Sequence, residues 1–121
     1  MTGPDEGAEA NGPDGRTRLR MTLMGMAFEV SWLTAKAAIV RRKGIELREA
    51  IRILDDRDVA LEYVPDRNQF RAVGRSPDGR ILTVAIDITY PDEEEKGGDV
   101  GLIRVYTAWE ASNAERAFYL R

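Results

Sequence analysis

Arginine carries most of the chemistry this chain can offer. Arg71 and Arg75 alternate with Val73 on one short segment, Arg80 stands just past a turn, and Arg104 lies in a late apolar stretch. Arg41, Arg42 and Lys43 form a basic run further upstream. A guanidinium binds phosphate through two parallel N–H donors and can stabilise the extra charge of a pentavalent phosphorane. On a solvent-exposed sheet face these groups would form a basic patch that the overall charge conceals. The plainer alternative is that they are exposed sheet residues paired with Glu62 or Glu110.

Other candidates divide in the same way. Trp32 and Trp109 stand at strand–helix junctions, where a tryptophan either completes the core or offers a stacking surface for a base. Glu110, directly after Trp109, is either a base or a solvated strand-end carboxylate. Asp92-Glu93-Glu94-Glu95 with Asp99 reads as a solvated loop that keeps a hairpin edge soluble, because contiguous carboxylates rarely converge on one ion. Asp55, Asp56 and Asp58 lack calcium-loop spacing and read as a helix end. Gly97, Gly98 and Gly101 follow no strand and open no helix, so no dinucleotide fingerprint exists. Neither a metal site nor a cofactor is expected.

Composition narrows the chemistry further. The 121 residues contain no Cys and no His, which excludes disulfides, thiolate nucleophiles, Ser-His-Asp triads and His- or Cys-based zinc sites. Any reaction must run on Arg, Lys, Asp, Glu, Tyr, Ser and Thr. A net charge of −3 argues against bulk polyanion binding without excluding a local patch. No apolar run is long enough to span a membrane, and the N-terminus is acidic and rich in Gly and Pro, the reverse of a secretory signal. A cytoplasmic protein is the expectation.

These residues must be positioned by one domain. Residues 1–25 read as a disordered tail, with Gly and Pro alternating with Asp5, Glu6, Glu9 and Asp14. Met21, Met24 and Met26 are each plausible alternative starts. Residues 26–121 read as the folded unit. Residues 26–30 predict a strand with Met26, Phe28 and Val30 on one face. Ser31 or Thr34 caps a helix over 35–43, which Gly44 ends. A second helix over about 46–55 carries Leu47, Ala50, Ile51 and Leu54 as a buried stripe.

The period then changes to two. Residues 59–64 predict a strand, and 70–75 and 80–90 flank a hairpin turn at Ser76-Pro77-Asp78-Gly79. Residues 102–109 predict the last strand, and Ser112 with Glu115 forms a capping box for a short helix reaching Leu120. The order β-α-α-β-β-β-β-α predicts an α+β fold. In it a small antiparallel sheet of four to five strands packs on two N-terminal helices and a short C-terminal helix.

The ordered residues resemble the BrnT-like ribonuclease toxins of bacterial type II toxin–antitoxin systems. That family opens with a strand running into Trp-Asp-Pro-Ala-Lys, matched by Trp32-Leu33-Thr34-Ala35-Lys36. Its Lys-His-Gly-Val helix end is matched by Arg42-Lys43-Gly44-Ile45, followed by Glu49-Ala50 in the second helix. Its hairpin, Ile-Gly-Arg-Ser-x-x-Gly-Arg-Leu-Leu, is matched by Val73-Gly74-Arg75-Ser76 and Gly79-Arg80-Ile81-Leu82. Its last strand and helix align with residues 104–111 and with Glu115, Arg116 and Tyr119. The similarity covers most of residues 26–121. Three departures stand out: the first helix is one residue shorter, Lys43 replaces the family His, and Trp109 and Glu110 replace its paired arginines.

The resemblance implies metal-independent RNA cleavage, an RNA substrate and neutralisation by a cognate ribbon-helix-helix antitoxin. The assembly would be a homodimer or a hetero-oligomer with that antitoxin. On this reading Arg75 and Arg104 clamp phosphate, and Lys43 or Glu110 carries the proton. Arg41, Arg42, Arg71, Arg80 and Trp109 hold RNA. The alternative is a catalytically inactive BrnT-like protein-binding module.

Overall fold

The computed structural model describes residues 9–11, 16–23, 25–90 and 100–121, with side chains described at 20–22, 25–90 and 100–121. The acidic loop around Asp92-Glu93-Glu94-Glu95 and Asp99 lies outside the described residues, as do residues 1–8, 12–15 and 24. Seven strands form one sheet: β1 (Glu9–Asn11), β2 (Arg16–Leu23), β3 (Met26–Leu33), β4 (Ala60–Val64), β5 (Gln69–Arg75), β6 (Ile81–Thr89) and β7 (Gly101–Glu110). Their order is β1-β2-β3-β7-β6-β5-β4. The helices are α1 (Thr34–Arg41), α2 (Leu47–Ile51), which tightens into a 3-10 turn at Arg52–Asp55, and α3 (Asn113–Tyr119). The α+β class is as expected.

Three details depart from the sequence reading. Residues 9–11 and 16–23, read as part of a disordered tail, are the strands β1 and β2, which bring the sheet to seven strands instead of the expected four to five; β2 pairs with β3 from Arg16↔Leu33 to Leu23↔Met26. Without β2, the N–H and C=O groups on one side of β3 would form an open edge. The sheet is also mixed rather than antiparallel, because β3 runs parallel to β7. Alternation marks which face a residue occupies but says nothing about strand direction. Finally, α1 starts at Thr34 and Leu33 occupies its N-cap without a side-chain cap, so neither Ser31 nor Thr34 has the predicted capping role. Pairing carries β3 as far as Leu33, and Ser31 is consumed inside the strand.

The helix that follows ends at Arg41, two residues short of the expected 43, and the turn after it closes at Gly44. Gly44 has φ +81°, and its N–H donates to the Arg41 carbonyl at 2.9 Å. A left-handed residue is easiest for glycine. In α2 the predicted stripe is fully realised, with Leu47, Ala50, Ile51 and Leu54 all buried. It packs with Val40 on Phe28, Val30, Trp32, Val84, Ile86, Ile103 and Val105 of the sheet. Trp32 is thus a core residue. At the head of β7, a Cβ on Gly101 would stand 2.5 Å from the Phe28 ring and 2.7 Å from the Thr89 carbonyl oxygen. Only a hydrogen fits there.

The helices α1 and α2 cover one face of the sheet, and α3 occupies the other. Leu82, Val84 and Ile86 belong to the core with α2, whereas Thr83, between them, bonds Glu115 of α3. Successive strand residues point to opposite faces. Most of the remaining second face is open, and it carries Arg71, Ala85, Thr107 and Trp109.

Candidate nucleic-acid interface

The anchor of the open face is Glu115. It is 7% exposed, and its carboxylate gathers donors from four elements. The Thr83 hydroxyl donates at 3.0 Å, Trp109 Nε1 at 3.0 Å, the Ser112 N–H at 2.8 Å and Arg71 Nη1 at 3.2 Å. Ser112 accepts from the Glu115 N–H in return, completing the capping box. Burial alone would raise the Glu115 pKa, but the bonds from Ser112, Trp109 and Thr83 more than offset it and hold the carboxyl below its ordinary range. A motif legible in the sequence as a helix cap therefore also pins α3 to the sheet.

Arg71 bridges this anchor to β4. It faces Glu62 across the β4–β5 ladder and pairs with both Glu62 and Glu115. The expectation that some arginines pair with Glu62 holds at this position. Nε of Arg71 is buried without a hydrogen-bond partner among the described residues.

Beside Arg71 opens a groove of about 590 Å³, lined by Lys36, Val64, Arg67, Gln69, Arg71, Ala85, Tyr106, Thr107 and Trp109. Among the described residues, three of the lining residues are cations and none is a carboxylate, in a chain of net charge −3. Lys36 and Arg67 have no ion-pair partner among the described residues. Tyr106 is exposed because of a β-bulge: Val105 pairs with Ile86 and Thr107 with Ala85, which leaves Tyr106 outside the ladder. Bulges re-aim side chains in this way. Together these groups offer two cations without ion-pair partners among the described residues, one phenol and aromatic surface, which suits a phosphate with its attached base.

Of the sequence-predicted site residues, the fold brings Arg71 and Trp109 together in this groove. Trp109 is committed through Nε1 to Glu115, and its ring lines the cavity. Arg104 projects from the same open face opposite Asp87. Arg75, at the end of β5, donates from Nη1 to the Gly79 carbonyl at 3.1 Å. It lines a separate cavity with Tyr119 and Arg121. Arg80 holds Asp78 and donates to the Gly44 carbonyl at 3.1 Å, which fastens the β5–β6 turn to the end of α1. Arg41 pairs with Glu46, while Arg42 and Lys43 are exposed at the helix end. Glu110 is exposed at the end of β7. No hydrogen bond or ion pair among the described residues joins any two of Lys43, Arg75, Arg104 and Glu110.

Sequence reasoning missed Lys36, Arg67 and Tyr106 as groove residues. Lys36 lies in the first turn of a helix, Arg67 in a 3-10 turn and Tyr106 on a bulge, so no shared period links them. A second carboxylate cluster closes the far end of the face. Asp56 accepts from the Tyr119 hydroxyl at 2.5 Å and from the Arg75 N–H at 2.9 Å. Burial raises the Asp56 pKa, but the bonds from Tyr119, Arg75 and Asp58 reverse this and leave it lowered. The same bond to Asp56, with burial, raises the Tyr119 phenol above its usual value.

No family model matches this chain, and no curated protein matches it either.

Proposed function

We propose that this protein binds single-stranded RNA in the groove on the open face of its sheet, as a relative of the BrnT-like toxins. The observation that carries this reading is the groove itself: Lys36 and Arg67, unpaired among the described residues, stand with Tyr106 in a cavity that no described carboxylate lines. Phosphates pair with the two cations and a base stacks on the exposed phenol ring. The resemblance implies a ribbon-helix-helix antitoxin as the partner.

The test is fluorescence anisotropy of labelled single-stranded RNA with wild type and a Lys36→Ala/Arg67→Ala double variant, in chelator and across a salt series. Losing two phosphate contacts makes the slope of log K against log salt shallower by about 1.4. Unchanged affinity and slope in the double variant would sink the reading.

A second reading is favoured by the presence of Lys36, Arg67 and Tyr106 in one cavity. Metal-free cleavage needs the 2′-hydroxyl to attack its own phosphorus, forming the O2′–P bond as the P–O5′ bond breaks. The 2′ proton is lost and the leaving 5′ oxygen gains one. Cations stabilise the phosphorane, and a phenol within reach can relay the proton. Fragments ending in 2′,3′-cyclic phosphate, lost on Tyr106→Phe, would establish it. Bound but intact RNA would assign binding without cleavage.

A further inference from the structure

We propose that the bound strand does not end at the groove but crosses the open face to a second cationic site made by Arg75 and Arg121, so that the ligand is an extended single strand spanning at most about six nucleotides. This rests on the RNA-binding reading above.

Three cavities lie in series on this face. The groove shares Arg71 with a middle cavity of about 190 Å³, and that cavity shares Arg121 with a third of about 450 Å³. The first has Lys36 and Arg67 as its cations, without ion-pair partners among the described residues, and the third has Arg121 and Arg75, whose Nη1 also donates to the Gly79 carbonyl. The middle is balanced in charge, because its lining sets two carboxylates, Glu62 and Glu115, against two cations, Arg71 and Arg121. It offers Phe118 instead, over whose ring the Arg121 guanidinium sits 5.4 Å from the centroid. That contact holds the Arg121 cation in place before any ligand arrives. The third site also contains Asp58, which leaves it less positive than the groove.

The arrangement is two cationic ends with a neutral, partly aromatic centre. Phosphates belong at the ends and bases over the middle. The seven residues of β5, from Gln69 to Arg75, separate the ends by about 20 Å. An extended strand spaces its phosphates by more than the ~3.4 Å rise of a stacked one, so that span takes at most about six nucleotides. A shorter oligonucleotide reaches one end only. A longer one engages both, and its second contact is intramolecular.

The experiment compares unlabelled uridine oligonucleotides of about three and about eight residues as competitors on the full-length protein, with lengths set on either side of the span. Variants are Arg121→Ala and the Lys36→Ala/Arg67→Ala pair, each checked for folding by circular dichroism. The longer competitor is expected to bind at least tenfold more tightly, the equivalent of about one charge-assisted contact. Arg121→Ala should remove most of that advantage and leave the short competitor unaffected, while the groove variant weakens both. Equal affinity of the long competitor for wild type and Arg121→Ala overturns the track while leaving the groove reading intact. Absence of binding by wild type overturns both.

Discussion

Replacing Glu115 with alanine is expected to loosen α3 from the sheet and to cost about 3–4 kcal/mol, the sum over the donors it leaves without an acceptor. The magnitude can be built from the partners. Thr83 is 0% exposed, so its orphaned hydroxyl bears a full desolvation penalty of about 1–3 kcal/mol. The Ser112 N–H loses the reciprocal half of the capping box, worth about 1 kcal/mol. Trp109 Nε1 is partly buried and recovers water only in part, while Arg71 keeps Glu62. Urea denaturation followed by tryptophan fluorescence measures the loss. With a slope of about 2 kcal/mol per molar, the midpoint should fall by about 2 M. Glu115→Gln keeps the shape and one acceptor oxygen but loses the charge, and should cost about half as much. An alanine variant losing less than about 1 kcal/mol would refute the claim that this carboxylate anchors the helix.

Acid should act on the same anchor. The folded pKa values of Glu115 and Asp56 are lowered, so their contributions are complete above the ordinary values near 4.5 and 3.8 and fade as pH falls through the folded values. Denaturation midpoints should therefore drop below about pH 4, and less so in Glu115→Gln. Tyr119 has the opposite sign: its raised phenol stabilises the fold below pH 10.0, and that contribution is lost as pH rises through the folded value. Tyr119→Phe should flatten the alkaline limb of the stability profile. Gly101→Ala must push a methyl into the Phe28 ring and the Thr89 carbonyl, and a loss of about 1–3 kcal/mol in chemical denaturation is expected. Arg80→Ala frees the Gly44 carbonyl and should lower stability by about 1 kcal/mol without changing RNA affinity in the anisotropy assay.

The comparison of sequence with structure turns on locality. The turn at Ser76-Pro77-Asp78-Gly79 forms as read, with Gly79 at φ +91° and its N–H donating to the Ser76 carbonyl at 2.9 Å. The capping box at Ser112 and Glu115, the glycine stop at Gly44 and the buried stripe of α2 were also legible. Each depends on residues within a few positions of one another. A further signal was present but unused: Leu19, Met21 and Leu23 alternate with Arg18, Arg20 and Thr22, the period of a strand. The glycines and acids before them drew those residues into the tail.

By itself, then, the sequence determined the helix ends, the hairpin turn, the core faces and the exclusion of histidine and cysteine chemistry. Tertiary structure alone decided that β3 runs parallel to β7, that Tyr106 leaves the ladder on a bulge, and that Lys36 and Arg67 meet across strands distant in the chain. It also committed Arg71 to Glu62 and Glu115 while leaving Lys36 and Arg67 without ion-pair partners among the described residues. The physical reason is that backbone preferences act over one turn or one pleat. The sharing of a carboxylate, the direction of a strand and the walls of a groove depend instead on contacts between segments that meet only when the sheet closes.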